Sequence, residues 1–276
     1  MYLSHLKLTN FKNYNSAELH FSRNINCFIG KNAAGKTNIL DAIYYLSFCK
    51  SFFNPVDNQN IRHQQDFFAI HGTYFRNGDD NEKVSCIQKR NQKKEFRYNS
   101  KTYDRLSDHI GKFPLVMISP YDRDLINEGS EIRRKFIDSV ISQFDKVYLN
   151  HLILYNKALF QRNTLLKQFA EHNAFNPENL AVWDEKLILH GTEIYQKRKS
   201  FINDYFPIFQ KFFKAISGGK EEAGITYKSG LEHEDFRLLL KSGLEKDLLF
   251  KYTTQGIHKD ELVFSHSGFP IKKFGS

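Results

Sequence analysis

Cysteine is scarce in this chain of 276 residues, which has only three, and long apolar runs are absent. Because Cys27, Cys49 and Cys86 lie far apart and form no C-x-x-C pair, the sequence argues against a zinc site and against a disulfide framework, and fits a reducing cytosol. No segment approaches the roughly 20 apolar residues of a membrane helix. The first residues, 1–5, lack the basic and apolar regions that begin a secretory signal. These absences predict a cytoplasmic protein with no membrane partner.

Acidic residues are outnumbered, 31 against 40 lysines and arginines, so the formal net charge is +9 and the pI about 9.2. A basic surplus favours approach to a polyanion such as DNA or RNA. The surplus is concentrated between Lys83 and Arg105, where eight basic residues accompany two acidic ones. Two interpretations stay open, a solvated hairpin face or a nucleic-acid phosphate contact. The candidate contacts are Lys89, Arg90, Lys93 and Lys94.

The order of the hydrophobic patterns predicts an α/β protein. Up to residue 118 the chain is predicted to form strands and one helix, and the next part is mainly helical. The predicted strands are 26–29, 68–75 and 84–98, the last turning at Asn91-Gln92, with short final strands around 262–264 and 269–271. The predicted helices are 130–170, 177–214 and 233–249. The simplest architecture is a head with a helical arm inserted into it.

Two of these helices share an apolar repeat of nearly 3.5 residues, which predicts that they pack side by side like a short antiparallel coiled coil. Arg162 occupies one position of the first stripe, where the repeat otherwise has an apolar residue. Asn176 and Pro177 are predicted to start the second helix, and Pro207 to kink it. We expect both stripes to be core and not a cofactor pocket. They consist of Tyr148, Leu152, Tyr155, Leu159, Leu166 and Phe169, and of Leu180, Trp183, Leu187, Ile194, Phe201, Tyr205, Ile208 and Phe212.

Residues 30–37 match the phosphate-binding pattern G-x-x-x-x-G-K-[ST] in full, between a predicted strand and a predicted helix. The two glycines allow the backbone to turn and approach phosphate, and successive N–H groups at a helix N-terminus attract anions. Lys36 is predicted to reach the β- and γ-phosphates, and the Thr37 hydroxyl to ligate Mg²⁺. This P-loop predicts binding of ATP with Mg²⁺. Its residues are Gly30, Lys31, Asn32, Ala33, Ala34, Gly35, Lys36 and Thr37.

Further short motifs occur from one end of the chain to the other. They are L-T-N-F-K-N-Y at 8–14, S-P at 119–120, R-R-K-F-I-D at 133–138, Tyr155 with L-F-Q-R-N-T-L-L-K at 159–167, and G-I-H-K-D-E-L at 256–262. Together with the P-loop and its helix, residues 30–43, these blocks resemble those of the RecF family. Departures are small: Asp41 stands where glutamate is usual, Phe53 where arginine is common, and Glu261 where a second aspartate is usual.

The resemblance implies an α/β P-loop head of the ABC and SMC-like class, formed by 1–118 and 252–276, with a helical arm of 119–251. It implies an ATP-dependent homodimer, binding to single-stranded and double-stranded DNA near gaps, and work with RecO and RecR to load recombinase at stalled or damaged replication sites. Lys12 is expected to lie over the nucleotide. Arg133 and Arg134 are expected to be either surface charge or a phosphate clamp.

The chain lacks several parts that an ABC-type ATPase needs for hydrolysis. No run of four apolar residues precedes an aspartate that could support Mg²⁺. Ile216-Ser217-Gly218-Gly219 mimics an ABC signature but lies in the wrong context, whereas the resemblance implies that the true signature starts at Ser276. We therefore expect a C-terminally truncated chain that binds ATP without hydrolysing it or dimerising. Two alternatives stay open, an SMC-like or ABC-type head acting on protein partners, and an inactive gene fragment.

Overall fold

The computed structural model describes residues 1–76, 81–172 and 175–271. They fall into two compact units, Met1–Met117 and Ile118–Ser276. The predicted arm and the predicted second part of the head, divided at residue 251, belong to the same unit. Ser276, the predicted start of the signature, lies outside the described residues.

The first unit is a six-stranded antiparallel sheet with one long helix. The strands lie in the order β2-β1-β3-β4-β5-β6. The hairpin predicted at 84–98 is confirmed, with Asn91 in its turn at φ 57°. The elements are β1 (Tyr2–Phe11), β2 (Tyr14–His20), α1 (Lys36–Phe48), β3 (Phe67–Phe75), β4 (Asn81–Lys89), β5 (Glu95–Tyr98) and β6 (Lys101–Thr102), with short 3₁₀ turns at Asp57–Asn60 and Leu106–Asp108.

Alternating apolar residues of the strands form the core of the first unit against α1. Side chains at every second position of a strand share a face, and these positions are apolar and buried on three neighbouring strands. Tyr45 and Leu46 of α1 are fully buried in the same cluster. The helix is therefore fixed on the sheet by its apolar side, and the start of α1, where the P-loop ends, is fixed with it. The strand residues are Leu6, Leu8, Phe68, Ile70, Val84 and Cys86.

The strand predicted at 26–29 is wrong. The segment forms no strand, and no strand of the described residues pairs with it. Ile29 is 95% exposed, although Phe28 packs partly against the core beside Phe21. A short apolar run signals the tendency to form a strand, but the strand exists only where a neighbour accepts and donates its hydrogen bonds.

The second unit combines helices with a three-stranded antiparallel sheet in the order β7-β8-β9. The final strands predicted around 262–264 and 269–271 are confirmed, as is the helix predicted at 233–249. The elements are α2 (Asp124–Asn127), α3 (Ser130–Phe144), α4 (Lys146–His172), α5 (Pro177–Ser217), β7 (Ala223–Lys228), α6 (Phe236–Phe250), β8 (Glu261–His266) and β9 (Phe269–Pro270), with 3₁₀ turns at Pro120–Arg123, Gly230–Glu232 and Ile257–Lys259.

The single helix predicted at 130–170 is two helices, because Asp145 interrupts it. Asp145 adopts an extended backbone, with φ −118° and ψ 100°, and ends α3. Its carboxylate then accepts a hydrogen bond from the Tyr148 amide at 2.9 Å, which caps the start of α4. Aspartate favours such caps because its side chain satisfies an N–H group that the helix itself leaves without a partner.

The packing of α4 on α5 confirms most of the predicted apolar stripes. Asn176 accepts from the Asn179 amide and Pro177 follows it, so the predicted start of α5 is confirmed. The stripe is wrong at its end, where Ile208 and Phe212 are 54% and 62% exposed. Pro207 lies inside α5, which continues to Ser217, so the mimic of a signature at 216–219 ends a helix instead of opening one. The kink at Pro207 stays a prediction.

None of the helices in the described part of the chain is long and apolar enough to span a bilayer.

Candidate nucleotide site and basic hairpin

The P-loop lies at the N-terminus of α1, which starts at Lys36. Gly35 is the residue before the helix and has φ 96°, and Ala33 has φ 63°. These left-handed residues turn the chain sharply, so that successive peptide groups change direction within the loop. The first N–H groups of α1 have no partner within the helix and carry its positive dipole end. The loop therefore has the backbone geometry of an anion site.

The Lys36 ammonium group folds back onto the loop. Its Nζ donates to the carbonyl oxygens of Gly30 and Lys31, both at 2.8 Å. Both partners are neutral carbonyls, so they hold the ammonium inside the loop without cancelling its charge. Thr37 is exposed on the first turn of α1, where its hydroxyl can reach an ion bound beside the loop. This donor set fits a polyphosphate with Mg²⁺: main-chain N–H groups and an ammonium for the phosphates, and a hydroxyl for the metal.

The turn between β1 and β2 packs directly on the P-loop. Asn13 accepts a hydrogen bond from the Asn38 side chain at 2.7 Å, and the Tyr14 hydroxyl donates to the Ala34 carbonyl at 3.4 Å. Gly35 has φ 96°, which strains any other residue, and a Cβ atom there would also lie 2.5 Å from the side-chain amide of Asn13, so the position favours glycine. Asn13 and Tyr14 were quoted above only as part of a motif. Tyr14 and Ala34 are 20 residues apart in the sequence, and only the fold brings the turn and the loop together.

Lys12, the first residue of that turn, points to a carboxylate. Its Nζ lies 2.6 Å from Asp41, which is fully buried on α1. Asp41 also accepts from the Ser51 hydroxyl at 2.6 Å and from the Phe52 amide at 2.7 Å. The Lys12 ammonium lies 5.5 Å from the centre of the Phe53 ring, a cation–π distance. Asp41 therefore ties the turn, the helix and the segment around Phe53 together, and contact of Lys12 with nucleotide stays a prediction.

The cations of the basic hairpin divide into two kinds. Lys89, Arg90 and Lys93 are exposed at the turn between β4 and β5, and Arg90 Nε donates to the Gln65 carbonyl. Lys94 is different, since only 10% of its side chain is exposed. Its Nζ donates to Asp57, to the Tyr45 hydroxyl and to the Cys49 carbonyl at 2.7–2.8 Å. The structure therefore favours an internal role for Lys94, because its charge is satisfied inside the first unit, and its contact with DNA stays an untested prediction.

Arg133 and Arg134 are half-buried and hold main-chain carbonyls of the second unit. Arg133 donates to the carbonyls of Leu125 and Glu128, both at 2.9 Å. Arg134 donates to the Asp260 carbonyl, and burial lowers the pKa of its guanidinium. These contacts give both arginines a structural role, which is neither the surface charge nor the phosphate clamp predicted for the pair, and contact with a phosphate stays a prediction.

A group of possible metal ligands on the β1–β2 hairpin was not predicted from the sequence. His5, Glu18 and His20 each place one ligand atom within 4.8 Å of the others. The residues are separated along the chain by up to 15 positions, and no motif joins them. The strand register alone brings them together.

Comparisons with known proteins agree with these observations. A family profile described as AAA ATPase domain matches residues 1–255. The DNA replication and repair protein RecF of Flavobacterium johnsoniae is 49% identical over 276 residues, which are 100% of this chain and 77% of that protein. RecF of Bacteroides fragilis is also 49% identical, over 74% of its length. The chain thus spans about three quarters of each relative.

Two solved structures of the recombination mediator protein RecF in the RecFOR pathway, one with ATPrS and one with ATP, share the fold. Their TM-scores are 0.92 and 0.91 and their identities 30% and 29%, over 100% of this chain and 76% of each of theirs. The predicted class, an α/β P-loop ATPase head, is confirmed. With its P-loop, its paired helices and this similarity over its whole length, the chain belongs to the RecF family of DNA replication and repair proteins.

Proposed function

We propose that residues 30–37 bind Mg-ATP and that the chain acts in recombination repair as a RecF-type, DNA-binding head. The observation that carries this proposal is the Lys36 ammonium, held inside the loop by two neutral carbonyls at 2.8 Å. A phosphate group reaching the same position would add charge–charge attraction that a carbonyl cannot supply. The main-chain N–H groups at the start of α1 would receive the remaining phosphate oxygens.

Thr37 and the β1–β2 turn complete the proposed site. The Thr37 hydroxyl would ligate Mg²⁺ at this loop, and the ion would offset the negative charge of the phosphates. Asn13 accepts from the Asn38 side chain on the first turn of α1 and Tyr14 donates to the Ala34 carbonyl, so the loop is preorganised before nucleotide arrives. Preorganisation favours binding because fewer bonds must be frozen at that moment.

The test of nucleotide binding is a titration of ATP in Mg²⁺ by calorimetry. Lys36→Ala should weaken binding by at least about tenfold, the equivalent of a charge-assisted hydrogen bond of roughly 1.5–3 kcal/mol. Lys31→Ala is the matched control, since it removes the same charge from the same loop but keeps the carbonyl that Lys36 contacts. Equal affinity of the parent and Lys36→Ala would refute the site.

A second pair of variants tests the metal. Thr37→Val keeps the shape of the side chain but removes the hydroxyl, and should abolish the gain in ATP affinity that Mg²⁺ gives to the parent. Thr37→Ser keeps the hydroxyl and should retain that gain. If Thr37→Val responds to Mg²⁺ as the parent does, another group ligates the ion.

For DNA we propose an electrostatic contact at the exposed turn of the basic hairpin, independent of base sequence. Support comes from the net charge of +9 and from the exposed Lys89, Arg90 and Lys93. Such a contact releases counterions, so affinity falls steeply with salt. Preference for single-stranded and gapped DNA, partnership with RecO and RecR, and loading of recombinase are proposed with it, in line with membership of the RecF family.

The DNA proposal is tested by the salt dependence of the affinity for a short duplex. Lys89→Gln combined with Lys93→Gln should reduce the slope of log affinity against log salt by up to about 0.9 for each lost contact. The control pair is Lys241→Gln with Lys246→Gln, which changes the net charge equally on exposed residues of α6. Equal slopes in the two pairs would remove the hairpin from the contact.

Hydrolysis is a separate part of the proposal. The loop supplies phosphate binding, but turnover also needs a positioned water and compensation of the charge developing on the γ-phosphoryl group. We propose that the chain of 276 residues binds ATP and releases phosphate no faster than Lys36→Ala does. A phosphate-release assay of the two proteins measures this, and faster turnover by the parent would contradict it.

A further inference from the structure

The open end of the β1–β2 hairpin carries two histidines that face each other. His5 and His20 are direct partners in the antiparallel register. The amide of Phe21 donates to the carbonyl of Ser4 at 2.9 Å, so these two residues form a hydrogen-bonded pair. Because hydrogen-bonded and non-hydrogen-bonded pairs alternate along antiparallel strands, the next pair, His5 and His20, is non-hydrogen-bonded. Opposite side chains are closest in pairs of that type. Glu18 lies two residues before His20 and therefore shares its face.

The ligand atoms of these three residues converge. His5 Nε2 lies 2.8 Å from a Glu18 carboxylate oxygen, and the two imidazole rings are 4.6 Å apart between centroids. One ligand atom from each residue lies within 4.8 Å of the other two. Around a tetrahedral metal with bonds of about 2.0–2.1 Å, neighbouring ligand atoms are about 3.3 Å apart. Small side-chain rotations are therefore sufficient to place all three around one ion.

The donor set also selects the class of ion. Two imidazole nitrogens and one carboxylate suit zinc, cobalt, nickel or copper, whereas magnesium and calcium prefer oxygen ligands throughout. The side chains are accessible, with 26% of His5 and 55% of Glu18 exposed, on the edge of the sheet as described. Lys7 stands opposite Glu18 in the register, and His71 of β3 stands opposite Lys7, so a lysine lies beside the cluster on the β1 side.

We propose that His5, Glu18 and His20 bind one divalent transition-metal ion of the zinc class. The scarcity of cysteine argues against a zinc site, but this one uses imidazole, which cysteine counts do not detect. The bound ion would join edge strand β2 to β1 at one end of the hairpin. The other end of the same hairpin carries Asn13, which contacts Asn38 at the start of α1, and Tyr14, which contacts Ala34 of the P-loop. The site is thus distinct from the P-loop and its proposed Mg²⁺.

The experiment is a calorimetric titration of ZnCl₂ into the chelator-treated chain of 276 residues, without nucleotide and in excess Mg²⁺. We expect one equivalent to bind, and His5→Gln, Glu18→Gln and His20→Gln each to weaken it by at least about tenfold, the loss that even an outer partner of a metal ligand gives. His63→Gln, at an exposed histidine outside the cluster, is the control and should bind as the parent does. Equal binding by all five proteins would overturn the site.

Two further measurements keep the proposal falsifiable. Cys27 is the exposed cysteine of the chain, so Cys27→Ser must retain the bound equivalent; its loss in that variant would assign the metal to the thiol and refute the cluster. Zinc that binds only the folded state raises the melting temperature by mass action. The rise should occur in the parent and in His63→Gln and be absent in His20→Gln, which differs from the parent only at an exposed side chain. A rise of equal size in His20→Gln would also refute the proposal.

Discussion

Lys36 in the first unit and Arg162 in the second unit are both cations with several oxygen partners, yet their surroundings differ. Lys36 is part of an exposed loop and donates to two neutral carbonyls. Arg162 is fully buried and contacts the carboxylates of Asp184 and Asp247, both at 2.6 Å, and the Thr253 hydroxyl. The first can exchange its partners for those of an anionic ligand. The second is fixed by the fold, since removing either charge leaves the other without compensation.

The largest effect that this comparison predicts is at Arg162. Arg162→Met should lower the free energy of unfolding of the second unit by about 3–5 kcal/mol, because it leaves the fully buried Asp247 without its counterion. Urea unfolding followed by fluorescence measures this, since the only tryptophan, Trp183, lies in α5. Arg237→Met, which breaks the exposed pair with Glu185, is the control and should change little. Similar losses of stability in both variants would contradict the special role given to the buried Arg162.

His258 gives the next largest effect, as a dependence of stability on pH. Burial lowers the pKa of His258 from 6.5 to about 4, and its ring bonds with the Tyr155 hydroxyl and the Thr253 carbonyl suit the neutral form. Between these two values the unfolded chain binds more protons than the folded one. Stability is therefore complete above pH 6.5 and falls by up to about 3 kcal/mol as the pH approaches 4.

The measurement is urea unfolding of the parent and of His258→Gln across that range of pH. The variant should lose part of the pH dependence, and the exposed His233→Gln should keep all of it. Comparing variants at each pH removes the contribution of the other titrating groups. A parent profile no steeper than that of His258→Gln would show that this imidazole is not responsible.

The adjacent residues Lys94 and Lys93 allow the same comparison between a buried and an exposed cation. Lys94→Gln should destabilise the first unit by about 1–3 kcal/mol, because Asp57 and the Cys49 carbonyl lose a buried donor. Lys93→Gln, at an exposed position, should stay within about 0.5 kcal/mol of the parent. Thermal unfolding followed by circular dichroism distinguishes them. Equal stability of the two variants would mean that the Lys94 contacts are not maintained in solution.

The smallest effect is expected at the P-loop itself. Lys36→Ala should change the stability of the nucleotide-free chain by no more than about 0.5 kcal/mol, because it removes contacts that are exposed and local. The same variant should lose ATP binding, as proposed above. A large loss of stability would instead show that Lys36 has a structural role like that of Arg162, and would contradict the difference proposed between these two cations.

The parts of this fold that depend on local pattern were predictable from the sequence. The P-loop, the β4–β5 hairpin and the α5 cap each involve residues a few positions apart, and the structure has them where expected. The strand at 26–29 failed because pairing needs a neighbour that local sequence does not specify. The break at Asp145 was missed because apolar residues lie close by on both sides of it, at Ile141 and at Tyr148, although aspartate is a known cap.

Charge was harder to interpret than apolarity. Lys93 and Lys94 are indistinguishable in a count of basic residues, and only the position of Asp57 makes one of them internal. Arg162 stood out as the polar step of an apolar stripe, which in retrospect signals a buried ion pair. His5, Glu18 and His20 could have been found by predicting the register of the first hairpin, since opposite positions on one face are set once the turn is fixed.

The distribution of the cysteines allows a fluorescent label to be placed beside the proposed nucleotide site. Cys27 is exposed three residues before Gly30, while Cys49 and Cys86 are buried, and burial raises the pKa of the Cys86 thiol well above its ordinary value. Maleimide reagents modify accessible thiolates, so they should label this chain at one position without any prior mutagenesis. A fluorophore attached there would sit beside the loop whose Lys36 is expected to change partners, and its emission would follow ATP arrival in real time.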